Sequence, residues 1–160
     1  MKTDLKKALE TSISEVFETM FFLPLEMNDQ ISLEASGLMN TGQTIACRID
    51  FTGSFSGYFI LFIPEKLGFH LAVSFMGAEE EEITDMHISG TIKEAINMLA
   101  GSTFTSFDNT IEFQLTIPET TDVNQETVPG GMVEEREIVV IAETAKGYLA
   151  LKAVIESGYV

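Results

Sequence analysis

Glu94 and Asn97 are the pair in this sequence whose types and spacing could do chemistry. On a helix, side chains three apart project from the same side. A carboxylate can hold a cation, and a side-chain amide can donate and accept hydrogen bonds at once. One turn before Glu94 stands Gly90, and one turn after Asn97 stands Gly101, so the four share one face of a helix. An acid and an amide flanked by residues without side chains would let a partner approach closely. Glycine inside a helix costs about 0.5–1 kcal/mol relative to alanine, so Gly90 needs a reason if it lies within one. The plainer reading makes Glu94 and Asn97 ordinary solvent-facing residues, with Gly90 before the helix and Gly101 ending it.

The other reactive side chains offer less. Cys47 is the single cysteine, so no intramolecular disulfide and no multi-cysteine metal site can form. It alternates with Ile45, Ile49 and Phe51, the pattern of a buried strand cysteine rather than a nucleophile. His70 falls within one helical segment and His87 at the start of another, and neither reads as a general base. Glu79, Glu80, Glu81, Glu82, Asp85 and His87 form an acidic stretch that reads as a solvated charge run, because loops that bind hard metals interleave glycine with carboxylates.

The elements that must position Glu94 and Asn97 follow from periodicity. Leu5, Leu9, Ile13, Val16, Phe17 and Met20 recur at helical spacing over residues 4–23, with Asp4 as N-cap and Pro24 closing the segment. Alternation predicts strands over 44–51 and 58–63, joined by a hairpin loop, and an extra strand is conceivable near 30–35. A second helix is expected over 64–76, with proline in its first turn and Gly77 after its end. Residues 78–85 read as a loop or frayed end. The third helix spans 86–103, with Ile88, Ile92, Ile96 and Leu99 on one stripe and Ala95 at its margin. Residues 111–117 alternate as a strand, 118–131 read as a long polar loop, and 137–143 with 148–155 form a closing hairpin.

The chain of 160 residues is expected to form one domain with halves at about 1–77 and 78–160. Residues 13–20 echo 92–99, and Gly57-Tyr58 echoes Gly147-Tyr148 in the same order. The fold class expected is therefore α+β: a pseudo-symmetric helix-plus-strands repeat with a mainly antiparallel sheet and helices packed on one face. A formal charge of −16 argues against nucleic acid and against an anionic membrane surface as partners. No apolar run is long enough to span a bilayer, and residues 1–7 lead into an amphipathic segment rather than a signal region. A reducing cytoplasmic location is expected.

The stretch from Glu94 to Gly101 resembles the signature helix of the CheC/CheX/FliY chemotaxis phosphatase family: Glu-x-x-Asn, then an apolar pair and a glycine. The likeness extends to Met20-Phe21-Phe22 at the end of the first helix, the Gly53…Gly57 hairpin, and Leu71…Phe75-Met76-Gly77 before the acidic loop. It is strongest to CheX-like members, because the first helix offers Glu15-x-x-Glu18 without the asparagine, which implies one active site. The resemblance implies a phosphatase that hydrolyses the phosphoaspartate of a CheY-like response regulator. It implies that Asn97 orients the attacking water and that Glu94 pairs with the regulator's lysine. Gly90, Glu94, Asn97 and Gly101 would then form the partner-binding face. No cofactor is expected on this chain, since Mg2+ would belong to the regulator, and a homodimer joined through sheet edges such as 111–117 is implied. The alternative is a non-catalytic binding module for a regulator or a flagellar-switch component.

Overall fold

The computed structural model describes residues 2–39, 42–110, 112–121, 123 and 136–158. Three helices, α1 (Lys2–Met20), α2 (Glu65–Met76) and α3 (Asp85–Phe107), accompany seven strands. The strands are β1 (Leu25–Met27), β2 (Thr44–Thr52), β3 (Ser56–Pro64), β4 (Gln114–Leu115), β5 (Glu119–Thr121), β6 (Glu137–Thr144) and β7 (Gly147–Ser157). All pair antiparallel in one sheet of order β1-β6-β7-β3-β2-β4, with β5 also on β2.

The order carries the internal echo. The hairpins β2–β3 and β6–β7 meet through β3 and β7, where Leu61 faces Leu151. Each half then lends an edge strand to the other: β1 pairs with β6 of the second half, and β5 of the second half pairs with β2 of the first. The expected pseudo-symmetric α+β arrangement is what the chain adopts.

Strand alternation decides which side the helices occupy. Cys47, Ile49 and Phe51 on β2, Phe59, Leu61 and Ile63 on β3, and Leu149, Leu151, Ala153 and Ile155 on β7 are buried in one core with the stripes of all three helices. The alternate residues Ala46, Ile60, Phe62, Ile141 and Ala150 form a second, smaller core, covered by Leu38 and Val123 from the connecting segments. Because β3 is covered on both faces, it reads as an unbroken apolar run from Tyr58 to Ile63. At its start, a Cβ on Gly57 would collide with the Val154 carbonyl, so the strand crossing there requires glycine.

Several boundaries differ from the sequence expectation. α1 begins at Lys2, so Asp4 lies in its first turn rather than at the N-cap, and it ends at Met20 rather than Leu23. The chain turns at Phe22, whose φ of 53° is left-handed, and the Leu23 N–H returns to the Phe17 carbonyl at 2.9 Å, satisfying one open helix end. Residues 30–35 form turns, with Ser32 and Ser36 bonding nearby backbone, and the extra strand is β1, earlier in the chain. The strand expected over 111–117 shrinks to Gln114–Leu115, because Phe113 turns inward and stacks on Phe104 at 3.9 Å instead of joining a ladder. Ile111 lies outside the described residues, as does most of the loop expected over 118–131, within which β5 is described. The acidic stretch contains a 3-10 turn at Glu80–Glu82, and Asp85 already belongs to α3.

Candidate functional site: an exposed face of the third helix

α3 starts where Thr84 caps it. The Thr84 hydroxyl accepts from the His87 N–H at 3.3 Å, and the Thr84 N–H donates to His87 Nδ1 at 3.0 Å. Histidine thus takes the place usually held by Glu or Gln in a capping box, and the ring is engaged in starting the helix. Ile88, Ile92, Ala95, Ile96 and Leu99 are buried against the sheet and the neighbouring helices. α2 comes close through Gly68, where a Cβ would lie 3.1 Å from Ile92 and 3.2 Å from Ile88. α1 is pinned from the other side by a buried chain of hydroxyls: Thr103 donates to Ser12 at 3.0 Å, and Ser12 donates to the Leu99 carbonyl at 3.2 Å.

With that stripe fixed inside, the opposite face must point outward. Gly90, Glu94, Asn97 and Gly101 are all exposed. Both glycines lie inside the 23-residue helix, neither preceding nor ending it, so the plainer sequence reading of them does not hold. Among the described residues, apart from neighbouring helix backbone, nothing would come within 4 Å of a Cβ at either position. Neither glycine is demanded by packing among the described residues, although each weakens the helix by about 1 kcal/mol. Glu15 and Glu18 are likewise exposed on α1.

Periodicity also places a residue that the sequence reading passed over. Met86 lies two turns before Glu94, within about 80° of it around the helix, and is 83% exposed. Extending the Gly90–Glu94 row one turn backward finds it. A second feature, at the far end of the helix, depends on Phe113 arriving from a distant loop and had no local signal.

The remaining candidates fall away from chemistry. Cys47 is fully buried on β2, and burial pushes its thiol up to about 12, against a smaller opposing pull from Lys93. A thiol so held is inert at neutral pH. Among the described residues, no three His, Cys, Asp or Glu side chains converge as a metal site requires. No helix among them is long and apolar enough to cross a membrane.

Comparison with known proteins places this arrangement. Solved structures share the fold at low identity. CheX from Vibrio vulnificus superposes with a TM-score of 0.75 at 16% identity, covering 98% of this chain and 99% of that one. The CheX-CheY-BeF3-Mg2+ complex from Borrelia burgdorferi gives 0.71 at 15%, covering 94% and 97%. FliY from Thermotoga maritima gives 0.60 at 15%, covering 92% and 84%. No curated protein matches by sequence. The family described as "Chemotaxis phosphatase CheX" matches residues 45–142, a span that includes β2 beyond Thr44, β3, α2 and the whole of α3. The chain belongs to the CheX chemotaxis phosphatase family.

Proposed function

We propose that this protein hydrolyses the phosphoaspartate of a CheY-like response regulator, with the Gly90–Glu94–Asn97–Gly101 face of α3 entering the regulator's active site. The observation that carries the reading is the face itself: an exposed acid and amide, flanked by two mid-helix glycines that packing among the described residues does not use.

The division of labour follows from the chemistry. In-line phosphoryl transfer to water needs positioning and charge compensation more than a protein nucleophile. The regulator brings the acyl phosphate, Mg2+ and a lysine, so no cofactor is needed on this chain. Asn97 supplies an amide that accepts from the attacking water and directs its lone pair at phosphorus. Glu94 pairs with the lysine and fixes the register of docking. The glycines let the partner's backbone approach the helix.

The reaction would take place in the cytoplasm, in chemotaxis or another two-component circuit, and 1–160 would act as one domain. The protein would act as a homodimer joined through a sheet edge. Ile117, 84% exposed just beyond β4, is apolar surface such an edge would cover. Light scattering that gave a monomer at micromolar concentration would remove the dimer.

Phosphate release from an acetyl-phosphate-loaded receiver domain tests the activity. Asn97→Ala should lower turnover by about two to four orders of magnitude with little change in Kd. Glu94→Ala should weaken binding and turnover together. Binding without any acceleration by the wild type would instead support the alternative, a docking module that does not turn over; full activity in Asn97→Ala would end the assignment of that residue.

A further inference from the structure

A hollow of about 270 Å³ opens at the C-terminal end of α3, lined by Gly101, Phe104, Thr105, Asp108, Phe113 and Leu115. Gly101 belongs both to this hollow and to the Glu94–Asn97 face. Its inner wall is aromatic, with the Phe104 and Phe113 rings stacked at 3.9 Å and 12°. Its rim is negative. The last turn of α3 contains no basic residue, so the partial negative charge of the helix end goes uncompensated there. Asp108, the C-cap residue, adds a full charge at that point. The Thr110 hydroxyl and N–H both donate to Asp108 Oδ1, at 2.6 and 2.9 Å. These bonds hold the Asp108 carboxyl below its ordinary range, so it stays ionised at neutral pH. Among the described residues, no ion pair compensates it.

A specific interface covers roughly 800 Å² per partner, a patch about 30 Å across. Asp108 lies about 16 Å along the helix from Asn97, at 1.5 Å per residue. A protein centred on Asn97 therefore reaches this hollow. We infer that the hollow receives an arginine or lysine side chain of the same regulator whose phosphoryl group meets Asn97, an inference that rests on the phosphatase reading above.

The methylene stem lies along the phenyl rings, and the cationic head meets Asp108 and the helix-end carbonyls. An apolar side chain would instead strip water from Asp108 without replacing it. A second copy of this chain meets the first, in the reading above, along the sheet edge at Ile117; beside Asp108 its acidic surface, with a formal charge of −16, makes it a poorer occupant than a cationic side chain.

The test measures Kd for a receiver domain loaded with beryllofluoride and Mg2+, by calorimetry at low and at physiological salt, for wild type, Asp108→Asn and Gly101→Leu. Asp108→Asn should weaken binding about twofold to fivefold at low salt, and the difference should narrow at physiological salt. Gly101→Leu, which fills the hollow from the helix side, should weaken it at least about tenfold. Thermal unfolding of both variants checks that the helix is intact. Because Gly101 also lies on the docking face, Asp108→Asn decides the occupant: wild-type affinity in that variant at low salt would overturn the inference even if Gly101→Leu lost binding. Wild-type affinity in both variants would put the hollow outside the interface, with the same result. Failure of the phosphatase reading shows separately: a wild type that binds without speeding phosphate release leaves the Kd comparison to decide the hollow. A wild type that does not bind the domain ends both.

Discussion

Replacing Gly90 and Gly101 by alanine should make the protein more stable and a poorer partner. Both positions are exposed, both lie inside α3, and no neighbouring atom among the described residues would meet the added methyl within 4 Å. The change therefore removes only the backbone freedom that glycine loses on folding, about 1 kcal/mol per site in a helix interior. Eleven residues separate the sites, about 16 Å along the axis, so the gains should add to about 2 kcal/mol. For a chain of this size, each kcal/mol raises Tm by about 2–4 °C, so the double variant should melt about 4–8 °C higher. Circular dichroism at 222 nm and urea titration read this directly. Docking should weaken several-fold at the same time, because the methyls stand where a partner's backbone would lie. Gly57→Ala provides the contrast, since a Cβ there collides with the Val154 carbonyl and should cost about 1–3 kcal/mol. If the α3 double variant gained no stability, the glycines would be needed by the fold after all. If it gained stability and bound the regulator as tightly as before, no partner would approach that face.

Three further expectations follow from other elements. Glu18→Ala should leave turnover at the wild-type level, because α1 lacks the asparagine; loss of turnover with folding and binding intact would refute the single-site reading. The Cys47 thiol should not react with a disulfide reagent until the protein unfolds, and rapid modification of the native protein would contradict its burial. Its raised pKa also makes stability fall with alkali. The thiol ionises near 9.0 in the unfolded chain and burial pushes it up to about 12 in the fold, so its contribution is complete below about pH 9 and is lost between there and 12. Urea midpoints should therefore fall more steeply with pH in wild type than in Cys47→Ala.

The legible parts of this fold were those written in a period. The α3 stripe and the polar row opposite it are both fixed by 100° per residue, which is why Ile92, Ile96, Glu94 and Asn97 lie on the sides expected. The alternation of β2 and the longer apolar runs of β3, β6 and β7 were equally clear, because these strands carry the central ladders. The edges were not. Residues 111–117 alternate well enough for a strand, but an edge ladder supplies few hydrogen bonds, and the stacking of Phe113 on Phe104 competes with pairing. The end of α1 was hidden for a similar reason. Nothing in Phe22 announces a left-handed turn, since glycine or asparagine would be the usual residue there. The periodicity carries α3 past Gly101 only to 103, four residues short of its end at Phe107. The helix continues to Phe107 because Thr103 and Phe104 are buried, and tertiary packing outweighs the weak local preference of a glycine.

The pseudo-symmetry makes the difference between the two helices informative. Aligning residues 13–20 with 92–99 sets Glu15 against Glu94 and Glu18 against Asn97, and extends to Thr11 against Gly90 and Phe22 against Gly101. The acid is thus the one feature common to both rows. On α1 the amide is replaced by a second carboxylate, one glycine by a β-branched residue, and the other by Phe22, 79% exposed just beyond the helix end. A partner's backbone that could lie against α3 would meet side chains on α1, and two carboxylates would repel the phosphoryl oxygens that an amide tolerates. The helix-weakening glycines therefore occur only on the helix that also carries the amide. Their joint absence from α1 is the strongest internal argument that both belong to one functional face. Exchanging the rows tests that argument as a unit. Placing glycines and asparagine at positions 11, 18 and 22 in an Asn97→Ala background should restore some phosphate release only if the four-residue face, rather than its place in the fold, is what the regulator reads.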